Sequence, residues 1–366
     1  MAVEPSTDFS LDTAQLLAQE EHGREIVGRS PWALAWRRLT RNTVAWFFLA
    51  VFVLILIVSV CAPLYAHYVA HTGPSDNHIG EKVEVNGKLT DVVTSGTFSG
   101  GFGQGKITVG QAGGKPLGPQ LWHAGGKFAL GADLNGRDVA VRVLYGGLNS
   151  LKVGIGSAII CTLVSLLLAL LAGYFGGWVD WIITRFFDII WAFPVLLLAI
   201  ALGTALSISG FHHLGLSIES GNLWIPTLVI SYVLIPYIGR PLRGQILALR
   251  EKEFIEAAVA QGAGAFRIML GELLPNVASS VLVFFTLIIA NNILTEAALS
   301  FLGAGVQLPK PSWGNIIAEG DDRLSTAPWL TIVPGVMIVL TVLSLNVFGD
   351  ALRDALDPRA KVRMEH

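Results

Sequence analysis

The chain has 366 residues, of which 52% are hydrophobic and 14% charged, where a soluble domain carries about 25% charged residues. An ordinary water-soluble globule is excluded, and the apolar excess is gathered into runs long enough to cross a bilayer. A formal net charge of −2 supplies no overall basic field, which disfavours nucleic acid as a partner. Cys61 and Cys161 both sit inside apolar runs, so neither a disulfide framework nor a metal-binding pair is available.

In chain order, residues before Arg24 are polar and acidic and read as a tail to which no function is assigned. From Pro31, Trp32, Trp36 and Leu39 recur at helical spacing with Arg37, Arg38 and Arg41 on other faces. That pattern predicts a short helix in the cytoplasmic interface that sets the entry angle of the first span. Residues 1–43 are therefore read as a cytoplasmic N-terminal tail with an interfacial helix. The first span covers 44–66, and 67–150 is a long extracytoplasmic loop. Within it, Val83-Glu84-Val85-Asn86-Gly87-Lys88-Leu89 alternates about Asn-Gly and predicts a hairpin. The glycine-dense stretch Gly96–Gly126 is too poor in large apolar residues to bury much core.

Six segments approach the roughly 20 apolar residues that hydrocarbon demands: Val44–Ala66, Leu151–Phe175, Phe186–Ser209, Leu223–Gly239, Val277–Leu299 and Trp329–Phe348. The fourth is short and holds Pro226 and Pro236, which predicts a bent helix packed against protein. Basic residues are retained on the cytoplasmic side. Arg37, Arg38 and Arg41 before the first span, Arg240 to Arg267 between the fourth and fifth, and Arg353 to Arg363 at the end place both termini inside. The expected fold is an all-α polytopic membrane protein with six transmembrane helices.

No phosphate-cradling GxxxxGK[ST] loop is present: the lysines of the Gly-Lys pairs, Lys88, Lys106, Lys115 and Lys127, are followed by Leu, Ile, Pro and Phe. Gly100 to Gly105 lacks a strand-to-helix context, and His212-His213 lacks further ligands at metal spacing. No catalytic residue, metal or cofactor is assigned. An ion-coupled transporter would place ionisable groups at mid-membrane. Asp180, Arg185 and Asp188 instead fall near the junction of the second and third spans, and Glu296 near the end of the fifth. Arg185 and Asp188 read as a span-end pair at i, i+3 or as gating residues, and Glu296 as an interface or pore hydrogen-bonding group.

Between the fourth and fifth spans, Phe254 to Gly262 predicts a short helix ended by a left-handed glycine, and Ala263 to Leu274 a second helix halted by Pro275. This makes a compact cytoplasmic knob with small alanines beside Glu256. Glu256-Ala257-Ala258, Gly262 and Leu274-Pro275 resemble the EAA loop of binding-protein-dependent ABC importer permeases. Three further stretches are similar to the peptide and nickel permease group, the C-type partner of dipeptide and oligopeptide systems. They are Leu130 to Val139, Asp180 to Pro194 with Ala192-Phe193-Pro194, and Asn346 to Arg359.

The resemblance implies a type I ABC importer permease fold over 148–350, with a coupling loop at 250–275 and a cytoplasmic tail at 351–366. It implies docking of two ABC ATPase subunits on Glu256, Ala257, Ala258 and Gly262, with Arg267 supporting the second helix. It also implies a second homologous permease subunit, most simply a heterodimer, an extracytoplasmic substrate-binding protein, and a place in the bacterial plasma (inner) membrane with its lipid. The chain itself is then a transport subunit and not an enzyme. Di- or oligopeptides are the expected cargo, with nickel or another small solute, or ion-coupled secondary transport, as alternatives. The insertion between about Gly73 and Gly126 exceeds the family pattern and either contacts the binding protein, covers the pore mouth, or is inert.

Overall fold

A computed structural model describes residues 31–94, 97–100, 103–106, 114–121, 126–213 and 216–356. The acidic N-terminal tail, Gly101, Phe102 and the last ten residues lie outside them. Helix α1 (Pro31–Arg41) precedes α2 (Thr43–Val60), whose first turn is capped by the Asn42 side chain accepting from the Ala45 amide. The helical course runs on through Ala62–Tyr65 and a π turn at Ala66–Ala70. Two strands, β1 (Lys82–Val85) and β2 (Lys88–Asp91), pair antiparallel with Val85 opposite Lys88. Asn86 and Gly87 have φ of 53° and 76°, the positive pair that a tight two-residue hairpin turn requires. A second hairpin, β3 (Thr97–Gly100) and β4 (Gly103–Lys106), follows.

The long helices are α3 (Val139–Phe175), α6 (Trp224–Arg250), α8 (Ala265–Phe301) and α10 (Trp329–Leu356). Between α3 and α6 stand α4 (Gly177–Trp191), α5 (Val195–Ser209) and the hairpin β5 (Phe211–His213) and β6 (Leu216–Ile218). Helix α7 (Glu253–Ala260) links α6 to α8, and α9 (Trp313–Gly320) links α8 to α10. Among the described residues, five helices are long and apolar enough to cross a membrane, or six if the bent pair α4 and α5 counts as one span. Five of the six expected spans thus fall on long apolar helices, and the remaining one falls on the bent pair. Phe186–Ser209 is not a continuous helix: α4 and α5 meet at 85°. Pro194 causes the break, because it lacks an amide donor and biases Phe193 away from helical backbone.

Three other boundaries shift for identifiable reasons. Helix α3 starts at Val139, twelve residues before the expected Leu151, because Asp138 caps it by accepting from the Ala140 and Val141 amides at 2.8 and 3.2 Å. At 37 residues it is about 55 Å long, well beyond the roughly 30 Å hydrocarbon core. Helix α6 runs through Pro236 and Pro241 and is the most enclosed span, with 72% of its most apolar window buried against 17% for α2. That enclosure is how the bundle tolerates the missing donors. Pro275 does not halt the second loop helix as expected: α8 absorbs it with a π turn at Met269–Leu273, just before the proline.

Helices α3 and α6 form the centre of the bundle, with α8 and α10 packed beside them. Close approach is by small residues, as is usual between membrane helices: a Cβ added at Gly154 would strike Ile293 of α8, and one at Gly173 would strike Ile246 of α6. Helix α1 packs Leu39, with Ala45 of α2, on Ala351 and Ala355 in the last turns of α10, so the described ends lie together.

The long segment between α2 and α3 folds onto this bundle. Val92, Val93 and Leu117 build a small core with Phe128 and Ala132, more than the glycine content suggests. Beneath it lies a network of ion pairs. Arg137 Nε and Arg142 Nη1 both donate to Asp133 Oδ2 at 2.6 Å, and Glu319 Oε2 accepts from Arg137 Nη2 at 2.6 Å and Arg142 Nη1 at 2.5 Å. Asp133 Oδ1 also accepts from the amides of Asn135 and Arg137. The Arg142 and Asp133 side chains are 1% and 2% exposed, so each depends on the other for its missing water.

Removing one member strands a buried charge. Arg142→Ala is expected to lower unfolding stability by about 3–5 kcal/mol in chemical denaturation of the purified chain. Overpacking is separable from this: Gly154→Val should cost about 2 kcal/mol, whereas Gly244→Ala, whose added Cβ meets nothing within 4 Å, should raise the midpoint in the same assay, since alanine favours helix over glycine by about 1 kcal/mol.

Candidate functional site

The link between α6 and α8 is a rigid knob. Its helix α7 carries Glu253 and Glu256 in the first turn, where negative side chains complement the helix dipole. Ile255 is buried and Ala258 half-buried, which seats one face of α7 on the bundle. The chain then turns at Gly262, whose φ of 81° only glycine adopts without strain. The Gly262 amide donates to Val259 O at 2.9 Å and the Ala263 amide to Ala258 O at 3.0 Å, closing the carbonyl end of the helix. The expected helix, glycine turn and second helix are all found here.

Of the residues proposed for docking, Glu256, Ala257, Gly262 and Arg267 are exposed and Ala258 is half-buried. They share the knob with apolar side chains that the sequence reading passed over: Phe254, Val259 and Phe266 are 37%, 56% and 71% exposed. A knob that exposes Phe254 and Val259 of α7 and Phe266 of α8 beside alanines offers a surface for another protein. The available signal was Phe254 beside Ile255: on a helix seated by Ile255, its neighbour must turn outward. A groove of about 660 Å³ runs from this tip to the end of α3, lined by Tyr174, Phe175, Arg250, Glu256 and Val259 among others.

Arg185 and Asp188 form the i, i+3 pair at 3.3 Å, but they do not act alone. Arg240 Nη2 of α6 donates to the other oxygen of Asp188 at 2.8 Å, and Arg243 of α6 grips both oxygens of Asp180. Two carboxylates eight residues apart on α4 thus meet two arginines three apart on α6. Read from sequence only as basic residues marking the inner side, Arg240 and Arg243 are the clamps that fasten the bent segment. Their i, i+3 spacing, opposite Asp180 and Asp188 on one face of α4, was the signal.

Glu296 is fully buried within the chain and is not on an open face. Its Oε1 accepts from Ser300 Oγ at 2.6 Å, the hydroxyls of Ser150 and Ser312 flank it, and Ser300 Oγ accepts from the Val306 amide at 2.9 Å. It joins α8 to α3 and to the cap of α9. His212, of the adjacent histidines, bonds Ser217 Oγ through Nδ1 at 2.8 Å across its hairpin.

Residues 165–362, more than half of the chain, match the family model described as binding-protein-dependent transport system inner membrane component. The chain belongs to that family. Residues 30–79 further match the N-terminal transmembrane domain of oligopeptide transport permease C. Among curated relatives, the dipeptide transport system permease protein of Alkalihalophilus pseudofirmus is 34% identical over 333 residues, 91% of each chain. A glutathione transport system permease protein of Pectobacterium atrosepticum is 41% identical over 232 residues, covering 63% of this chain and 73% of that protein. Its counterpart in an Escherichia coli strain is 34% identical and covers 91% and 92%. Among solved structures, the inward-facing MetNI methionine ABC transporter aligns over 59% of this chain and 96% of that one, with 19% identity and a TM-score of 0.47.

In this membrane permease the α4 clamp is open to direct test. Asp180→Asn removes one charged partner of Arg243 and is expected to cost about 2 kcal/mol of stability by chemical denaturation. The swap of Asp180→Arg with Arg243→Asp should recover part of it.

Proposed function

We propose that this permease is the membrane subunit of an ATP-driven importer of short peptides, receiving its cargo from an extracytoplasmic binding protein. Membership of the family supports the transport role, and the names of its relatives, which carry dipeptides and glutathione, support a short-peptide cargo. The observation that carries the mechanism is the α7 knob. It is seated by Ile255, closed by Gly262 and continuous through α8 with the membrane bundle, while Glu256, Ala257 and the exposed Phe254, Val259 and Phe266 face outward.

In this reading one ABC ATPase docks on that tip, and a second docks on the equivalent tip of a homologous permease. Nucleotide-driven closure of the ATPases moves α7 as a lever. Because α7 is packed at one face and capped at its end, displacement reaches α6 and α8 without being lost in a loose loop, and the two pore states differ in the contacts the lever makes. The basic clusters by α1, α6 and α10 support placing both termini on the ATPase side of the inner membrane.

The test is co-purification with transport. Glu256→Lys and Gly262→Pro should leave membrane insertion intact, yet lower ATPase recovery and peptide uptake by about tenfold, the loss that follows when an interface forfeits about 1.4 kcal/mol. Normal recovery with normal uptake would overturn the docking role. Uptake abolished by a protonophore at constant ATP would instead mark ion coupling.

A further inference from the structure

Helix α4 offers Asp180 and Asp188 to the arginines of α6 and leaves a stripe of larger side chains exposed. Trp178, Trp181, Arg185 and Ile189 fall on one stripe at helical spacing, and they are 74%, 60%, 61% (side chain) and 62% exposed. The stripe begins at the same end of the bundle as the α7 knob, because a Cβ at Gly176 would stand 2.8 Å from Arg250 Nη1 at the foot of α6. Tryptophan at the end of a membrane helix marks the boundary between headgroups and hydrocarbon.

Charge on this face does not balance. Arg243 is matched by Asp180, but Asp188 alone serves both Arg185 and Arg240. Three guanidinium groups face two carboxylates, leaving one positive charge in surplus. Arg185 lies 5.8 Å from the Trp181 ring and Arg240 4.5 Å from that of Trp191, so aromatic faces support both guanidiniums where they meet the open surface. Exposed guanidiniums beside tryptophans, with one positive charge in surplus, are the arrangement that takes an acidic lipid headgroup.

We propose that Arg185 and Arg240, flanked by Trp181 and Trp191, bind the phosphate of an anionic phospholipid from the leaflet on the α7 side. The acyl chains lie along Ile189 and Phe193, which is 55% exposed just before the bend. A guanidinium presents paired N–H groups that match two phosphate oxygens, and the single surplus charge fits one phosphodiester. A headgroup seated there neutralises the surplus charge of Arg185. The inference depends on the membrane assignment and not on the docking role of α7.

The test uses the full chain, with whatever subunits accompany it, in nanodiscs of phosphatidylethanolamine with phosphatidylglycerol, and counts retained phosphatidylglycerol by native mass spectrometry. Arg185→Gln should reduce retention about fivefold, Arg185→Lys should restore part of it, and Arg353→Gln, at another exposed arginine, should not change it. Because Arg185 is exposed, thermal melting of Arg185→Gln should match the parent; Trp181→Leu, which keeps the stripe apolar, serves as a second variant and should also lose lipid. A photoreactive group in place of Trp178 should cross-link to lipid. Parent-level retention in both Arg185→Gln and Trp181→Leu, or a cross-link from position 178 to protein in place of lipid, would overturn the proposal.

Discussion

The ion network of Asp133, Arg137, Arg142 and Glu319 is the constraint around which one end of the molecule is arranged. Arg142 stands inside α3, where its buried guanidinium would be an uncompensated charge without the two carboxylates it holds. One of them, Asp133, belongs to the loop just before the helix, and the other, Glu319, to α9 nearly two hundred residues later. Satisfying one arginine therefore fixes the loop, the head of α3 and the α8–α10 connection together. With that head fixed, Gly147 can lie against Trp313 and Asn149 can donate to Pro311 O.

Charge is handled in the same manner at the opposite end. The arginines of α6 are spent on the carboxylates of α4, so the bent pair is held by directional, charged contacts where apolar packing alone has little to prefer. The membrane interior between these two ends relies on small residues and hydroxyls: Ser165 Oγ donates to Ile235 O at 2.9 Å and Ser231 Oγ to Thr227 O at 2.6 Å. Specific polar contacts at both rims and close glycine packing between them give α3 and α6 one register.

What was legible in the sequence was what local chemistry decides. Asn86-Gly87 turned as expected because only that dipeptide's stereochemistry matters, and Gly262 closed α7 for the same reason. The spans were legible because lipid offers the backbone no partners, leaving long apolar runs no option but helix. Helix ends were less so. The true start of α3 depends on Asp138, which caps it, and on Arg142, whose partner Glu319 is remote in sequence. The passage of α8 through Pro275 required a π turn that composition does not announce. At the candidate site the alanines and Gly262 were legible from their pattern. Val259 and Phe266 were not, because their exposure depends on how α7 and the start of α8 seat on the bundle, and Phe254 became legible only once Ile255 was known to face inward.

The length of α6 sets how far the knob stands from lipid. Its 27 residues extend about 40 Å, against a hydrocarbon core of about 30 Å. About 10 Å of α6 is therefore surplus to the core, and α7 begins just beyond its last residue, Arg250. Shortening α6 by two turns, about 11 Å, would remove that surplus and draw the same surface, chemically unaltered, toward the hydrocarbon.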